Sequence, residues 1–452
     1  MPTSDREIPT VSIRRLRVLV IAEAANPEWV SVPLVGWSIA NALRSHHDVH
    51  IVTQIRNRDA FLRAGLVEGR DFTAIDSEAV ARPIWKLAEV LRLGKGKGWT
   101  MVTALSSALA YPYFERKLWQ DFRVRIVAGE FDVVHRVTPL TPTATSRIAE
   151  KCVAAGVPFV AGPLNGGVPW PKGFDAERRR EREWLSYLRG LYRWSPSRNR
   201  MIRATAAIIA GSRHTAGEFP AEAQGRVALI PENGIDPARF NITAAQDLSG
   251  PIRGCFVGRL VPYKGADMLI EAAEPHLKAG KLVLDIVGDG PQMEQLQQML
   301  AERGLKATVQ LHGWVDHAGV QEILGRANLL TFPSIREFGG GVVLEAMALG
   351  VVPLICDYAG PGELVDATTG YKLPMGSRAD IIRSLSAKLE SILADPAPLT
   401  ELARAGRQRV ADHFTWDQKA RQISAVYGWA LDPTGSIPFA FHSQPTTDVA
   451  AP

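Results

Sequence analysis

Two glutamates eight positions apart, Glu337 and Glu345, bracket three consecutive glycines in the segment SIREFGGGVVLEAMALG, residues 334–350. The segment reads as a strand end, a glycine-rich turn and a helix over 342–349. Gly339, Gly340 and Gly341 let the backbone approach a ligand closely, and the unpaired amides where the helix begins, up to Val342, favour a phosphate. Glu337, at the mouth, can accept hydrogen bonds from sugar hydroxyls. Glu345, about two turns into the helix, can reach a ribose diol. A packed strand–turn–helix with two solvated glutamates has the same spacing.

A second cluster lies upstream in VGRLVPYKG, residues 257–265. Arg259 and Lys264 leave a strand end in a loop before a helix, where two cations can clamp a pyrophosphate. Breaking a sugar–phosphate bond requires the departing diphosphate to be stabilised in this way. Two solvated loop cations are the ordinary alternative. VGDGP (287–291) sets Gly288 and Gly290 in a strand-to-helix turn, which a simple tight turn also explains. HGWV (312–315) closes the next strand, where backbone near Val315 can read a nucleotide base.

The elements that must hold these residues are legible as periodic runs. LRVLVIA (16–22), HDVHIVTQ (47–54), FDVVHRV (131–137), VPFVAGP (157–163), AAIIAGS (206–212) and RVALIPENG (226–234) are short, apolar and β-branched, as buried parallel strands are. Helix-compatible stretches separate them, Val35–Arg44 first. After DLSGP (247–251) the pattern restarts with strands at 254–259, 281–290, 307–314, 327–334 and 351–357. Strands alternating with helices predict doubly wound α/β sheets, and two such series predict two Rossmann-like domains facing a central cleft. The boundary is expected near 240–252, between domains spanning 1–245 and 250–415. Ligands of such sheets bind outside the C-terminal strand ends, where the candidate residues lie.

Bulk properties bound the function. The 452 residues are 46% hydrophobic and 22% charged, enough for two cores. Cys152, Cys255 and Cys356 lie far apart with no CxxC pair, which argues against a disulfide framework or zinc site and for a reducing cytosol. The first residues lack the apolar core of a secretory signal, and no apolar run reaches the ~18 residues of a membrane span. The expectation is a cytoplasmic protein, at most peripheral at the inner membrane face. Residues 1–245 hold 34 Lys+Arg against 24 Asp+Glu and the remainder 18 against 23, so the first half suits an anionic partner. Two basic, aromatic insertions, 82–125 and 177–203, interrupt that half; the second carries nine arginines. The last residues, 431–452, lack periodicity and read as a disordered tail.

In order, these pieces resemble the retaining glycosyltransferase family 4, of GT-B fold, over residues 230–430. PENGIDPARF (231–240) resembles that family's interdomain strand end, VGRLVPYKG its diphosphate loop and EFGGGVVLEAMALG its Glu-x7-Glu motif. FTWDQKARQISAVY (414–427) resembles its closing helix, expected over 416–430. The resemblance implies a nucleotide-sugar donor, with Arg259 and Lys264 on its diphosphate, Glu337 on the transferred sugar, Glu345 on the ribose, and the 339–342 amides on sugar and phosphates. His135 in DVVHRV resembles the family's histidine near the reacting carbon. Two departures stand out. The Gly-Gly loop expected after the first strand reads EAANPEWVSVPLVGW here, with Gly36 alone and late; Pro27–Ser31, or Asn165–Gly167, must shape that side. Phe338 then Gly339 replaces Gly-Phe-Gly after the first glutamate.

The resemblance implies retention, and with no second carboxylate placed as a nucleophile a front-face reaction is expected, the leaving diphosphate accepting the acceptor's proton. No Asp-x-Asp pair is present, so neither a metal nor another cofactor is expected. The acceptor, a glycan or lipid-linked molecule, is assigned to the first domain, whose Arg/Trp/Tyr-rich 177–203 stretch has the composition of an interfacial helix on anionic lipid. A solvated basic helix with packed aromatics is the alternative, and no nucleic-acid motif accompanies it. A nucleotide-sugar 2-epimerase of the same fold is the competing function.

Overall fold

A computed structural model describes residues 14–83, 110–166, 168–171, 174, 195–240 and 242–441. The chain divides into two compact units. Residues 1–167, 182–232 and 416–452 make the first, and 168–181 with 233–415 the second.

The first unit is built on seven parallel strands in the order β3-β2-β1-β4-β5-β6-β7. These are β1 Arg17–Ala22, β2 Asp48–Gln54, β3 Phe72–Ile75, β4 Val133–Thr138, β5 Phe159–Leu164, β6 Ala207–Ala210 and β7 Val227–Leu229. The second unit carries six parallel strands in the order β10-β9-β8-β11-β12-β13. They are β8 Ile252–Val257, β9 Leu282–Val287, β10 Val309–Gly313, β11 Leu329–Phe332, β12 Val352–Cys356 and β13 Tyr371–Leu373. Both are doubly wound Rossmann-like sheets, as the alternation predicts. Central strands such as β4 and β12 are buried along their whole length because helices cover both faces, which is why they read as continuous apolar runs.

Several particulars differ from the sequence expectations. The units part at 232/233, before the expected 240–252. The reason is hydrogen bonding: Ile235 N donates to Phe414 O at 2.7 Å, and Ala244 N to Leu349 O at 2.7 Å, tying 233–250 to the second unit. Edge strands β3 and β13 were not legible, being four and three residues long and only partly buried. The C-terminal stretch is ordered further than expected. Leu229 N donates to Phe439 O at 2.8 Å and Phe441 N to Val227 O at 3.1 Å, so 439–441 cover the open edge of β7. Residues 442–452 lie outside the described residues.

The closing helix, Trp416–Leu431, packs Ala420, Ile423, Val426 and Tyr427 into the first unit's core beside Ile39, Leu43 and Val20. In the first insertion, helix Tyr111–Val127 turns Tyr111, Phe114, Leu118 and Phe122 into the core, so these three aromatics are packing residues. The remainder of that insertion, 84–109, and most of the second, 175–194, lie outside the described residues. No described helix is long and apolar enough to cross a membrane.

Candidate functional site

In each sheet the strand order reverses at one place, where connections leave in opposite directions and open a crevice at the strand ends. In the second unit that place is between β8 and β11, which pair in parallel. The loop after β8 carries Arg259 and Lys264; the loop after β11 carries Glu337 and the three glycines. The sheet order therefore brings together two motifs far apart in the chain.

Lys264 ends a short 3-10 turn, Pro262–Lys264, and is followed by Gly265 in the left-handed region at φ 80°. A Cβ at Gly265 would stand 2.8 Å from Pro333 O, so glycine lets the two loops touch. Across this contact the Lys264 ammonium pairs with the Glu337 carboxylate. The ammonium also lies 5.0 Å from the Phe332 ring centroid. Both side chains are largely covered, 15% and 22% exposed, so the pair is held at the site rather than solvated on the surface. Arg259 stands exposed on the same loop.

The glycines of VGDGP prove to be required by contact. A Cβ at Gly288 (φ 138°) would fall 1.9 Å from Gly258 O, and one at Gly290 2.4 Å from Leu260 O. Leu260 N donates to Asp289 O at 3.0 Å and Gln292 N to Leu260 O at 3.1 Å. The turn after β9 thus buttresses the Arg259–Lys264 loop, and Gly288 acts through backbone packing.

Helix Gly341–Leu349 starts from Gly340, whose φ of 63° is left-handed and which, having no side chain, leaves the helix start uncapped. Val343 N donates to Gly340 O at 2.9 Å, so the amides of Gly341 and Val342 precede the first helical bond. They and the positive end of the helix dipole suit an anion. Gly339 and Gly340 are buried; Gly341 and Val342 are half-buried, with the Asn233 side chain 3.7 Å from where a Cβ at Gly341 would stand.

Glu345 lies about one turn along. Burial pushes its carboxyl above the usual carboxylate range, opposed by the charges of His317 and Arg239. His317 Nε2 is 3.7 Å from Glu345 Oε1. Val315 is half-buried beside the start of helix His317–Leu324, while neighbouring Trp314 is exposed.

His135 differs from its expected role. It sits fully buried on β4, with Nδ1 2.6 Å from Tyr427 Oη and Nε2 2.6 Å from Gly162 O. Both ring nitrogens are used inside the first unit, and burial lowers its pKa to about 4. No ring nitrogen is open to a sugar. The register of β4 aims the ring at the closing helix, which its position near the strand end did not reveal.

Three residues near the site were missed. His317 and Arg239 address Glu345. Arg336 is buried with its guanidinium 4.9 Å from the Trp170 ring and 5.3 Å from the ring of Phe338, the residue after Glu337. Only Arg336 had a sequence signal, an arginine directly beside Glu337.

Residues 243–409 match the family model of glycosyl transferases group 1. That stretch contains both loops, the glycine-rich helix start and His317. The Mycobacterium tuberculosis glycogen synthase is 34% identical over 221 residues, 47% of this chain and 52% of that protein. The aligned region thus spans about half the length of this curated relative. Among solved structures, Anabaena HepE in complex with UDP and glucose superposes with TM-score 0.58 at 18% identity, covering 91% of this chain and 98% of that one. Sucrose-phosphate synthase from Thermosynechococcus elongatus gives 0.60 at 18% identity, covering 93% and 100%. The fold is GT-B.

Proposed function

We propose that this protein is a retaining, metal-independent glycosyltransferase of the family 4 type, which moves a sugar from a nucleoside diphosphate donor to an acceptor hydroxyl. The observation that carries the reading is the Lys264–Glu337 pair at the strand-order reversal, with the open amides of Gly341 and Val342 beside it. A diphosphate needs the cations and amides; a sugar hydroxyl needs the carboxylate. Arg259 and Lys264 would take the diphosphate, Glu337 the sugar and Glu345 the ribose, with Val315 backbone near the base. The group 1 match over 243–409 and the UDP held by HepE support a nucleotide-sugar donor.

In the reaction, the anomeric carbon–oxygen bond to the diphosphate breaks while the acceptor oxygen bonds to the same face. The acceptor's proton passes to the departing diphosphate oxygen, whose growing charge Arg259, Lys264 and the helix-start amides stabilise. Glu337 orients the sugar without bonding to it. A glycan or lipid-linked acceptor falls to the first unit, and its basic aromatic stretches would bring a cytoplasmic enzyme to an anionic membrane face.

The test is a panel of nucleotide sugars scored by thermal stabilisation, then by product with and without acceptor. A true donor at a hundredfold excess over its Kd stabilises by ~2.7 kcal/mol. Glu337→Ala should keep nucleotide binding and lose turnover, whereas Glu345→Ala should weaken both. No stabilised donor, or epimerised donor without acceptor, would overturn the proposal.

A further inference from the structure

Glu345 is a carboxylate whose burial works against its charge, yet a ribose diol is best held by an ionised acceptor. Two cations face it, Arg239 and His317. The imidazole is held in place from several sides. His317 opens helix His317–Leu324, whose start is fixed by the Asp316 side chain accepting from Gly319 N at 2.9 Å. Its ring stands edge-on to Phe240 at 5.8 Å, and Nδ1 lies 3.5 Å from the Gln321 amide. That leaves Nε2 aimed at Glu345 Oε1, 3.7 Å away.

We propose that His317, its Nε2 3.7 Å from Glu345 Oε1, is a positioning residue for Glu345, holding its carboxylate turned toward the two hydroxyls of the donor ribose. The inference rests on the donor-site reading given above. His317 does not touch the reacting atoms; it acts through the charge it presents to Glu345. A positive charge on the ring lowers the Glu345 pKa, against the effect of burial. The sign follows directly. Glu345 must be ionised to accept both hydroxyls, so donor affinity falls as pH drops through its pKa. Removing the imidazolium raises that pKa and moves the acid limb of binding upward. Such a limb belongs to the His317–Glu345 pair as a unit.

The experiment is calorimetric titration of the whole protein with uridine, guanosine and adenosine diphosphates and their 2′-deoxy counterparts, from pH 5 to 8.5. For the diphosphate that binds, the acid limb should move to higher pH in His317→Ala and His317→Gln. His317→Lys, which keeps a cation, should restore it. At the acid end of that range the preference for ribose over deoxyribose should shrink several-fold in the two neutral variants. Comparing Ala with Gln at matched melting temperature separates the charge from any packing loss against Phe240. Unchanged limbs and unchanged ribose preference in both neutral variants would overturn the inference. If Glu345→Gln abolishes the preference while the His317 variants keep it, only the role of His317 fails. If the wild-type protein binds none of the diphosphates, the donor-site reading fails beneath it.

Discussion

Lys264 and Glu337, 73 residues apart in the chain, are ion-paired at the ends of neighbouring strands β8 and β11. Each neutralises the other in the free protein, and each is the partner that a different part of a sugar diphosphate would claim. The pairing therefore predicts unequal effects from its two halves. Lys264→Ala should weaken nucleoside diphosphate binding by about tenfold or more, because it removes a charged contact worth ~1.5–3 kcal/mol and leaves Glu337 facing the phosphates. Glu337→Ala should bind the diphosphate at least as tightly as wild type. Titration of both variants checks this; equal losses would refute it.

Metal independence is tested with chelator. If Arg259, Lys264 and the helix-start amides carry the charge of the departing diphosphate, turnover in excess EDTA should equal that in added magnesium or manganese. Loss of activity on chelation, restored by either ion, would assign part of that stabilisation to a metal.

His135 predicts a pH dependence of stability. Its ordinary pKa is 6.5 and burial takes the folded value to about 4. Between those values the unfolded chain binds the proton and the folded one does not, so stability rises with pH there and is lost on acidification. The full loss by pH 4 is roughly 3 kcal/mol. Urea denaturation from pH 7 to 4.5 should show a wild-type slope steeper than that of His135→Asn by up to ~1.4 kcal/mol per pH unit. Identical slopes would mean that the ring is not held neutral.

Glycine substitutions separate backbone strain from contact. Gly304 has φ 69° with nothing within 4 Å of a new Cβ, so Gly304→Ala should cost only the left-handed penalty, about 1–2 kcal/mol. Gly288→Ala adds a clash with Gly258 O and should destabilise markedly more. Gly340→Ala meets Leu364 and Pro361 at 3.0 and 3.2 Å and should lose diphosphate affinity out of proportion to stability, since it re-aims the helix-start amides. Thermal melts with and without nucleotide read both quantities.

The central strands, the loops holding Arg259, Lys264 and Glu337, and the helix holding Glu345 were legible in the sequence, because a strand buried on both faces is apolar throughout and a turn against backbone demands glycine. The edge pieces were not. β3, β13 and the 439–441 cover on β7 are short, and their partners are remote segments that no local pattern encodes. His135 looked like a site residue because DVVHRV resembles a family motif that carries a histidine near the reacting carbon. Its neighbours, Tyr427 and Gly162, come from a distant helix and an adjacent strand, and they alone decide that both nitrogens are consumed. Sequence by itself set the residue types and the strand ends that carry them. That Lys264 meets Glu337, and that His317 faces Glu345, was decided by the order of strands in the sheet. Proximity across a parallel sheet depends on which crossovers lie side by side, and such contacts form between residues whose separation along the chain carries no signal.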